Sequence, residues 1–394
     1  MGPMEGFRIL EIDLMAPARF TGYICASLGA EVINIEVPRP EGPERSLRFR
    51  GDVDSRWLWY QQNKKSVILN LKTEEGVGIF HRMAETADAI IEGFRPGVVK
   101  RLNVDYETIK KVNPGIVYCS ASAFGQDGPY MHLFGREAAY QAVTGMLDLT
   151  RPKDGPPIML PFLITDTIGG LNAAVAIIAA LHHREKTGKG QYIDVSTFDS
   201  MFPFLGLRIH DHWQSSWFGS RPRHAVSGLD TMDLFQTKDG RYVVITPDGG
   251  ELWERFCRVL GREDLIPLRE ALTSVDESML EERKTLRIAL TEVFLSKTMN
   301  EWADVNDKEN VGIVPVLSMG EVLSSPHTEA RNMVVETEYA PLGRMKTIGT
   351  PYKFSETPLE SNEYHRYGQD TYEVLSEFGC SGIWDELRQK KVIE

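Results

Sequence analysis

An α/β fold with a largely parallel sheet, followed by a smaller α+β domain, is what this 394-residue sequence predicts. Three observations carry the prediction. Between Phe7 and Val195, short β-branched runs alternate with helical patterns, the signature of βαβ units. After about Phe202 the texture changes, and a hairpin signature appears at residues 232–246. The composition, 42% hydrophobic and 25% charged, is that of a globular chain. At roughly 150 residues per domain, its length suits two or three domains.

In order, residues 7–12 read as a strand, followed by a helix ending near Gly29 and a second strand at 31–36. Residues 66–71 read as a third strand, followed by a helix over 73–86. Further strands are expected at 89–91 and 115–120, with short helices between, then a helix at 169–183 and a strand at 191–195. Residues 210–228, rich in His, Trp, Arg and Ser without clear periodicity, read as a linker or wrapped arm. The hairpin at 232–246 turns at Asp239-Gly240, because Asp-Gly supplies the positive φ of a tight turn. Helical patterns follow at 252–260 and 280–295. Pro351, Pro358 and several aromatics suggest an extended return across the larger domain.

A net charge of −12 and a pI near 5.4 exclude the basic footprint of a nucleic-acid binder. Cys25, Cys119, Cys257 and Cys380 are scattered without a CxxC pair, as expected of reduced thiols in a cytoplasmic protein. The first residues lack a signal-peptide pattern, and the apolar run 171–181 is too short to cross a bilayer, so no membrane is expected. His210-Asp211-His212 has no third ligand at a characteristic spacing and reads as a polar surface turn rather than a metal site.

The turn after the first strand has no GxGxxG, and the chain has neither a phosphate loop nor a GxSxG elbow. That removes the phosphate fingerprint of a nicotinamide oxidoreductase. The richest stretch surrounds Asp166, at the start of an Ala-rich helix. Two readings stand. Asp166 can be an N-cap, accepting from the backbone two or three residues on. Alternatively, Gly169 and Gly170 in the first turn let a ligand approach bare N–H groups, and Asp166 is held ionised as a nucleophile.

Several segments occur in a telling order: Asn63-Lys64-Lys65-Ser66, Gly93-Phe94-Arg95-Pro96-Gly97, Gly125-Gln126-Asp127-Gly128-Pro129, Asp166 with Gly169-Gly170, and Thr187-Gly188-Lys189-Gly190-Gln191. With Leu28-Gly29-Ala30-Glu31-Val32 early, and Pro315-Val316-Leu317-Ser318 and Glu321-Val322 late, the chain resembles the family III CoA transferases. This CaiB/BaiF group includes formyl-CoA transferase and carnitine CoA transferase.

The resemblance implies a Rossmann-like large domain built from both chain ends, 1–205 and 319–394, with a linker at 206–231. It also implies a small α+β domain at 232–318 and an interlocked homodimer. The implied reaction moves CoA from an acyl-CoA to a free carboxylic acid, with acyl-CoA as substrate and no metal or permanently bound cofactor. Asp166 would attack the thioester to form a mixed anhydride. The CoA thiolate would then give an aspartyl-CoA thioester, which the acceptor acid opens. By similarity, Leu69 and Lys72 lie along the adenine and phosphate path, Arg101 meets phosphate, and Arg39 lies near a matching basic position. Glu137 matches an acidic residue flanking the active site, and N–H groups near Gly169-Gly170 would stabilise the oxyanion. Lys64, Lys65, Lys72, Lys100 and Arg101 reconcile an acidic chain with a polyanionic substrate.

The chain departs from the family in two places. Ala18-Arg19 stands where many members have Gly-Pro, placing a charge near the expected acyl pocket. In place of a glycine-rich flap near 240–250, only Asp248-Gly249-Gly250 appears. The α-methylacyl-CoA racemases share the fold, but their His is replaced in Gly135-Arg136-Glu137, and a guanidinium cannot exchange protons at neutral pH. Arg136 suits either a bidentate clamp for an acceptor carboxylate or a structural ion pair with Glu137 or another acid. A non-catalytic CoA-binding subunit is the remaining alternative.

Overall fold

Six strands form one all-parallel sheet: β1 (Arg8–Glu11), β2 (Glu31–Glu36), β3 (Lys64–Ile68), β4 (Ala89–Glu92), β5 (Val117–Ser122) and β6 (Gln191–Ser196). Their order is β3-β2-β1-β4-β5-β6, with Ile9 level with Val32 on one side and Ala89 on the other. This is the doubly wound order, in which the chain changes direction between β1 and β4 and leaves a crevice beyond their carboxyl ends. The computed structural model describes residues 2–12, 16–38, 48–49, 52–53, 58–150, 155–218, 233–247, 249–273, 277–339, 343–359 and 363–394.

Alternation along the strands feeds two cores. Leu10, Ile33, Val67 and Ile90 face a layer holding α2 (Glu74–Thr86) and α4 (Tyr106–Val112), with α3 (Val98–Arg101) at its edge. Ile9, Val32, Ile91 and Cys119 face α1 (Ala16–Ser27) and the long α6 (Ile164–Thr187). Between β5 and α6 lies α5 (Glu137–Val143), and α7 (Thr197–Phe204) follows β6.

Strand β3 starts at Lys64, two residues before the expected start, because Lys64 is a core residue here. It is 1% exposed, and its Nζ binds both Glu11 oxygens at 2.7 and 2.9 Å. A Cβ on Gly22 would lie 1.7 Å from Glu11 Oε2, so glycine at this point of α1 makes room for the buried pair. Helix α6 also starts earlier than the expected 169.

The chain divides into two compact units, residues 1–204 with 327–394, and residues 205–326. Residues 206–218, expected as linker, form a helix, α8 (Gly206–Phe218), and group with the smaller unit, as do residues 319–326. None of the described side chains of α8 is buried, although Ile209, Trp213 and Trp217 recur along it at four-residue spacing, a helical signal that the sequence reading passed over. His210-Asp211-His212 therefore sits on a helix rather than in a turn, and Asp211 pairs with Arg208 at 3.4 Å. The rest of the expected linker lies outside the described residues.

In the smaller unit, β7 (Asp233–Gln236), β8 (Tyr242–Ile245) and β9 (Ile313–Pro315) form an antiparallel sheet, turning through Gly240 at φ +77°. It is covered by α9 (Gly250–Val259), α10 (Leu280–Phe294) and α11 (Met299–Glu309), with Trp253, Phe256, Phe294 and Trp302 at the centre. The C-terminal segment is less extended than its prolines suggested. It forms a hairpin, β10 (Val334–Tyr339) with β11 (Gly343–Ile348), and the helices α12 (Thr371–Glu377) and α13 (Trp384–Gln389). Val374, Leu375, Leu387, Val392 and Ile393 complete the α2 face of the core.

Candidate active site

The construction starts at Glu137, the first residue of α5. Its carboxylate accepts from Thr165 Oγ1 at 2.8 Å, Thr165 N at 3.1 Å and Asp166 N at 3.2 Å. It also accepts from Gln141 Nε2 at 2.8 Å, and Gln141 in turn holds both backbone groups of Leu160, just ahead of α6. A carboxylate from another helix thus satisfies the free N–H groups that open α6 and complements their positive dipole end. This external cap explains the early start of α6. The N-cap position itself is Leu163, and Asp166 is the third helical residue, so it is not an N-cap.

Freed from that duty, the Asp166 carboxylate makes no hydrogen bond or ion pair among the described residues, although only 7% of the residue is exposed. Burial, and secondarily the charge of Glu137, push it from 3.8 up to about 7. This corrects the expectation of a carboxylate held ionised: desolvation outweighs the dipole. Beside it lies Tyr60, fully buried and stacked on Trp59 at 3.9 Å between ring centres. Its phenol is pushed up, first by burial and then by the charge of Asp166.

Gly169 and Gly170 serve packing. They fall in the second turn of α6, where their N–H groups belong to the helix ladder, so they are neither bare nor available to an oxyanion. A Cβ on Gly170 would meet Pro17 O at 2.6 Å, and one on Gly169 would meet Thr197 Oγ1 at 2.8 Å. These glycines let α1 and the start of α7 approach α6. Thr21 Oγ1 ties the contact by bonding Pro17 O at 2.9 Å and Gly170 O at 3.1 Å.

A cleft of about 240 Å³ opens beyond the carboxyl ends of β1, β4 and β5, where the doubly wound order puts ligand sites. Pro17, the Gly93–Pro96 turn, Phe124 and Phe134 contribute to its walls. The exposed Phe134 ring has the Arg95 guanidinium 4.6 Å from its centre and that of Arg136 5.4 Å away. Arg136 is exposed and makes no ion pair with Glu137 or another acid among the described residues.

Of the expected coenzyme contacts, Lys72 and Arg101 are exposed, as is Lys100, and none has an ion-pair partner among the described residues. Leu69 does not fit its expected role. It is 0% exposed within the core and offers a ligand no surface. Lys64 is neutralised by Glu11, and Lys65 is held by Glu31 at 2.8 Å, so neither belongs to a free basic patch. Arg39 and Asp248 lie outside the described residues, and Gly249 opens α9 at φ +81°. Among the described residues, no group of three His, Cys, Asp or Glu is placed to hold a metal ion.

Sequence reasoning missed Tyr60 as a neighbour of Asp166. The aromatic run Leu58-Trp59-Tyr60 ahead of β3 was the available signal for Tyr60. Arg19, the departure from the family pattern, is 7% exposed on α1 and does not line the cleft.

Residues 4–371 match the sequence profile of CoA-transferase family III. The chain is 32% identical over 361 residues to an acetyl-CoA:oxalate CoA-transferase of Acetobacter aceti, covering 90% of each chain. It is 29% identical to a succinyl-CoA:glutarate CoA-transferase of Homo sapiens, over 95% of this chain and 86% of the relative. The fold superposes on a CaiB/BaiF family protein from Brucella suis with a TM-score of 0.78 and 26% identity, covering 95% of this chain and 99% of that one. On the extent of these matches, the chain belongs to CoA-transferase family III and is a CoA transferase.

Proposed function

We propose that the chain transfers CoA from an acyl-CoA to a small carboxylic acid through covalent intermediates on Asp166. The observation that carries this reading is a buried carboxylate at a helix start, free of hydrogen bonds among the described residues, with Glu137 capping the helix in its place. Ionised Asp166 attacks the thioester carbonyl, the C–S bond breaks, and CoA thiolate leaves a mixed anhydride. The thiolate then attacks the aspartyl carbonyl and expels the donor acid, leaving an aspartyl-CoA thioester. The acceptor carboxylate attacks this thioester to form a second anhydride, and thiolate attack on its acyl carbon releases the new acyl-CoA and regenerates Asp166. Proximity compensates for the modest nucleophilicity of a carboxylate. No resident cofactor takes part.

Lys72, Arg101 and Lys100 are the cations available to the coenzyme phosphates, and Arg39 joins them by similarity. Arg136, exposed and without an ion pair among the described residues, draws in the acceptor carboxylate. The relatives that act on oxalate and glutarate support a small acid as acceptor. A homodimer is supported by exposed apolar side chains on α6, Val175 at 59% and Leu171 at 43%.

The test is mass spectrometry of the protein incubated with acyl-CoA alone, followed by hydroxylamine or borohydride trapping. A mass shift on Asp166, absent in Asp166→Ala along with turnover, is expected. Deuterium exchange at the acyl α-carbon without a covalent species would favour a racemase instead.

A further inference from the structure

Among the described residues, a positive φ is adopted by glycines, by four asparagines and by one lysine, Lys391 at +54°. Glycine enters this left-handed region freely and asparagine tolerates it, whereas a lysine held there is strained. Lys391 follows the end of α13. Val392 N donates to Leu387 O at 2.9 Å, and Lys391 N donates to Arg388 O at 3.0 Å. This pair of bonds closes a helix on a left-handed residue, a position that glycine normally fills. Strain kept where a glycine would remove it directs attention to what the side chain does.

Its neighbours are accounted for. Val392 is buried in the core, and Lys390 Nζ holds Glu75 and Glu386 at 2.8 Å each. Arg388 and Lys390 already place positive charge at this helix end, so the dipole of α13 does not call for a third cation. The Lys391 side chain is exposed and forms no ion pair among the described residues.

Asn70, just beyond the carboxyl end of β3, ties this turn to Lys72. Its N–H donates to Val392 O at 2.8 Å and its Nδ2 to Lys391 O at 3.1 Å, while its Oδ1 accepts from Lys72 N at 3.1 Å. One side-chain amide thus bridges the backbones of two exposed lysines, neither with an ion pair among the described residues. Their flexible four-carbon stems let both ammonium groups converge on one anion, and two such point charges suit a phosphate.

We propose that Lys391 joins Lys72 in binding one phosphate of the coenzyme, so that the turn after α13 forms part of the coenzyme site. The inference rests on the reading that Lys72 meets the coenzyme phosphates.

The experiment is calorimetric titration of CoA at low salt into the full chain, Lys391→Asn, Lys391→Gly, Lys391→Arg and Lys72→Ala. Lys391→Asn and Lys391→Gly should weaken CoA about fivefold, as expected for an exposed charge pair, and Lys391→Arg should stay within about twofold of the wild type. The gap should shrink at about 0.5 M salt. In turnover, KM for the acyl-CoA should rise by the same factor, with no matching change in kcat or in KM for the acid. Lys391→Gly suits the turn and should melt no lower than the wild type, which separates lost binding from lost folding. With dephospho-CoA, a gap that vanishes assigns the contact to the 3′-phosphate and one that persists assigns it to the diphosphate; either supports the proposal. Unchanged CoA affinity in Lys391→Asn, or an equal loss in Lys391→Arg, would overturn it. If Lys72→Ala alone weakens CoA, only the Lys391 inference fails; if neither variant does, the placement of the coenzyme at Lys72 fails with it.

Discussion

Asp166→Asn should abolish transfer and yet stabilise the protein, by an amount that grows with pH. The side chain keeps its shape and loses its charge. In the folded chain the carboxyl titrates near 7, against 3.8 when exposed. Because the folded value is the higher one, the stability held by the protonated form is complete below about pH 4 and is lost as the pH rises through 7. Over three pH units, at about 1.4 kcal/mol each, the wild type loses about 4 kcal/mol at this site. The amide loses none. The variant should therefore exceed the wild type by about 2 kcal/mol at pH 5 and about 4 kcal/mol at pH 8. Urea unfolding of both proteins at the two pH values measures the gap, and their other titrating groups cancel in the comparison. A gap that stays constant, or a variant less stable at pH 8, would refute the claim that burial rather than hydrogen bonding sets this carboxyl. The nucleophile is then an example of stability given up for reactivity.

The ionised fraction of Asp166 governs attack, so kcat/KM for the acyl-CoA should fall about tenfold from pH 8 to pH 6. Glu137→Gln, which removes the neighbouring negative charge, should move that midpoint to lower pH; a rise would contradict the assignment. Gly170→Ala should destabilise by about 1–3 kcal/mol, because its Cβ meets the Pro17 carbonyl. Gly78→Ala on α2, where nothing lies within 4 Å, should stabilise by about 0.5–1 kcal/mol, and melting curves of the two variants separate packing from propensity. Lys64→Met leaves Glu11 buried and unpaired and should cost about 3–5 kcal/mol in unfolding measurements. By contrast, Lys72→Ala and Arg101→Ala should leave the melting temperature in place and raise the KM for acyl-CoA severalfold.

Local pattern made the sheet legible. Most strands of the parallel sheet carry β-branched residues, as in Val32–Ile35 and Val67-Ile68, and Asp239-Gly240 announced the β7–β8 turn, because such features depend on a few neighbouring residues. Asp166 stood out for the same reason. What supports it did not, since the cap of its helix comes from Glu137, 29 residues away, and no local rule reports a partner at that range. Lys64-Lys65 reads as part of a basic patch for a polyanionic substrate until Glu11 and the missing side chain of Gly22 are seen around Lys64. Gly169 and Gly170 carry the same ambiguity: a glycine in a helix marks a close approach, and only the fold shows that a neighbouring helix is what approaches. Helix α8 went unread because the four-residue spacing of Ile209, Trp213 and Trp217 is set among the His, Arg and Ser residues that dominate the segment.

The placement of Glu137 has a further consequence. Gly135 and Phe134, two and three residues before it, form part of the cleft wall, while its carboxylate sets the charge felt by Asp166. One short lever thus joins the cleft to the proton affinity of the nucleophile. A coenzyme seated against Phe134 would press on the same segment that positions Glu137. The short segment 134–137 thus serves the cleft wall at one end and the cap of the nucleophile's helix at the other.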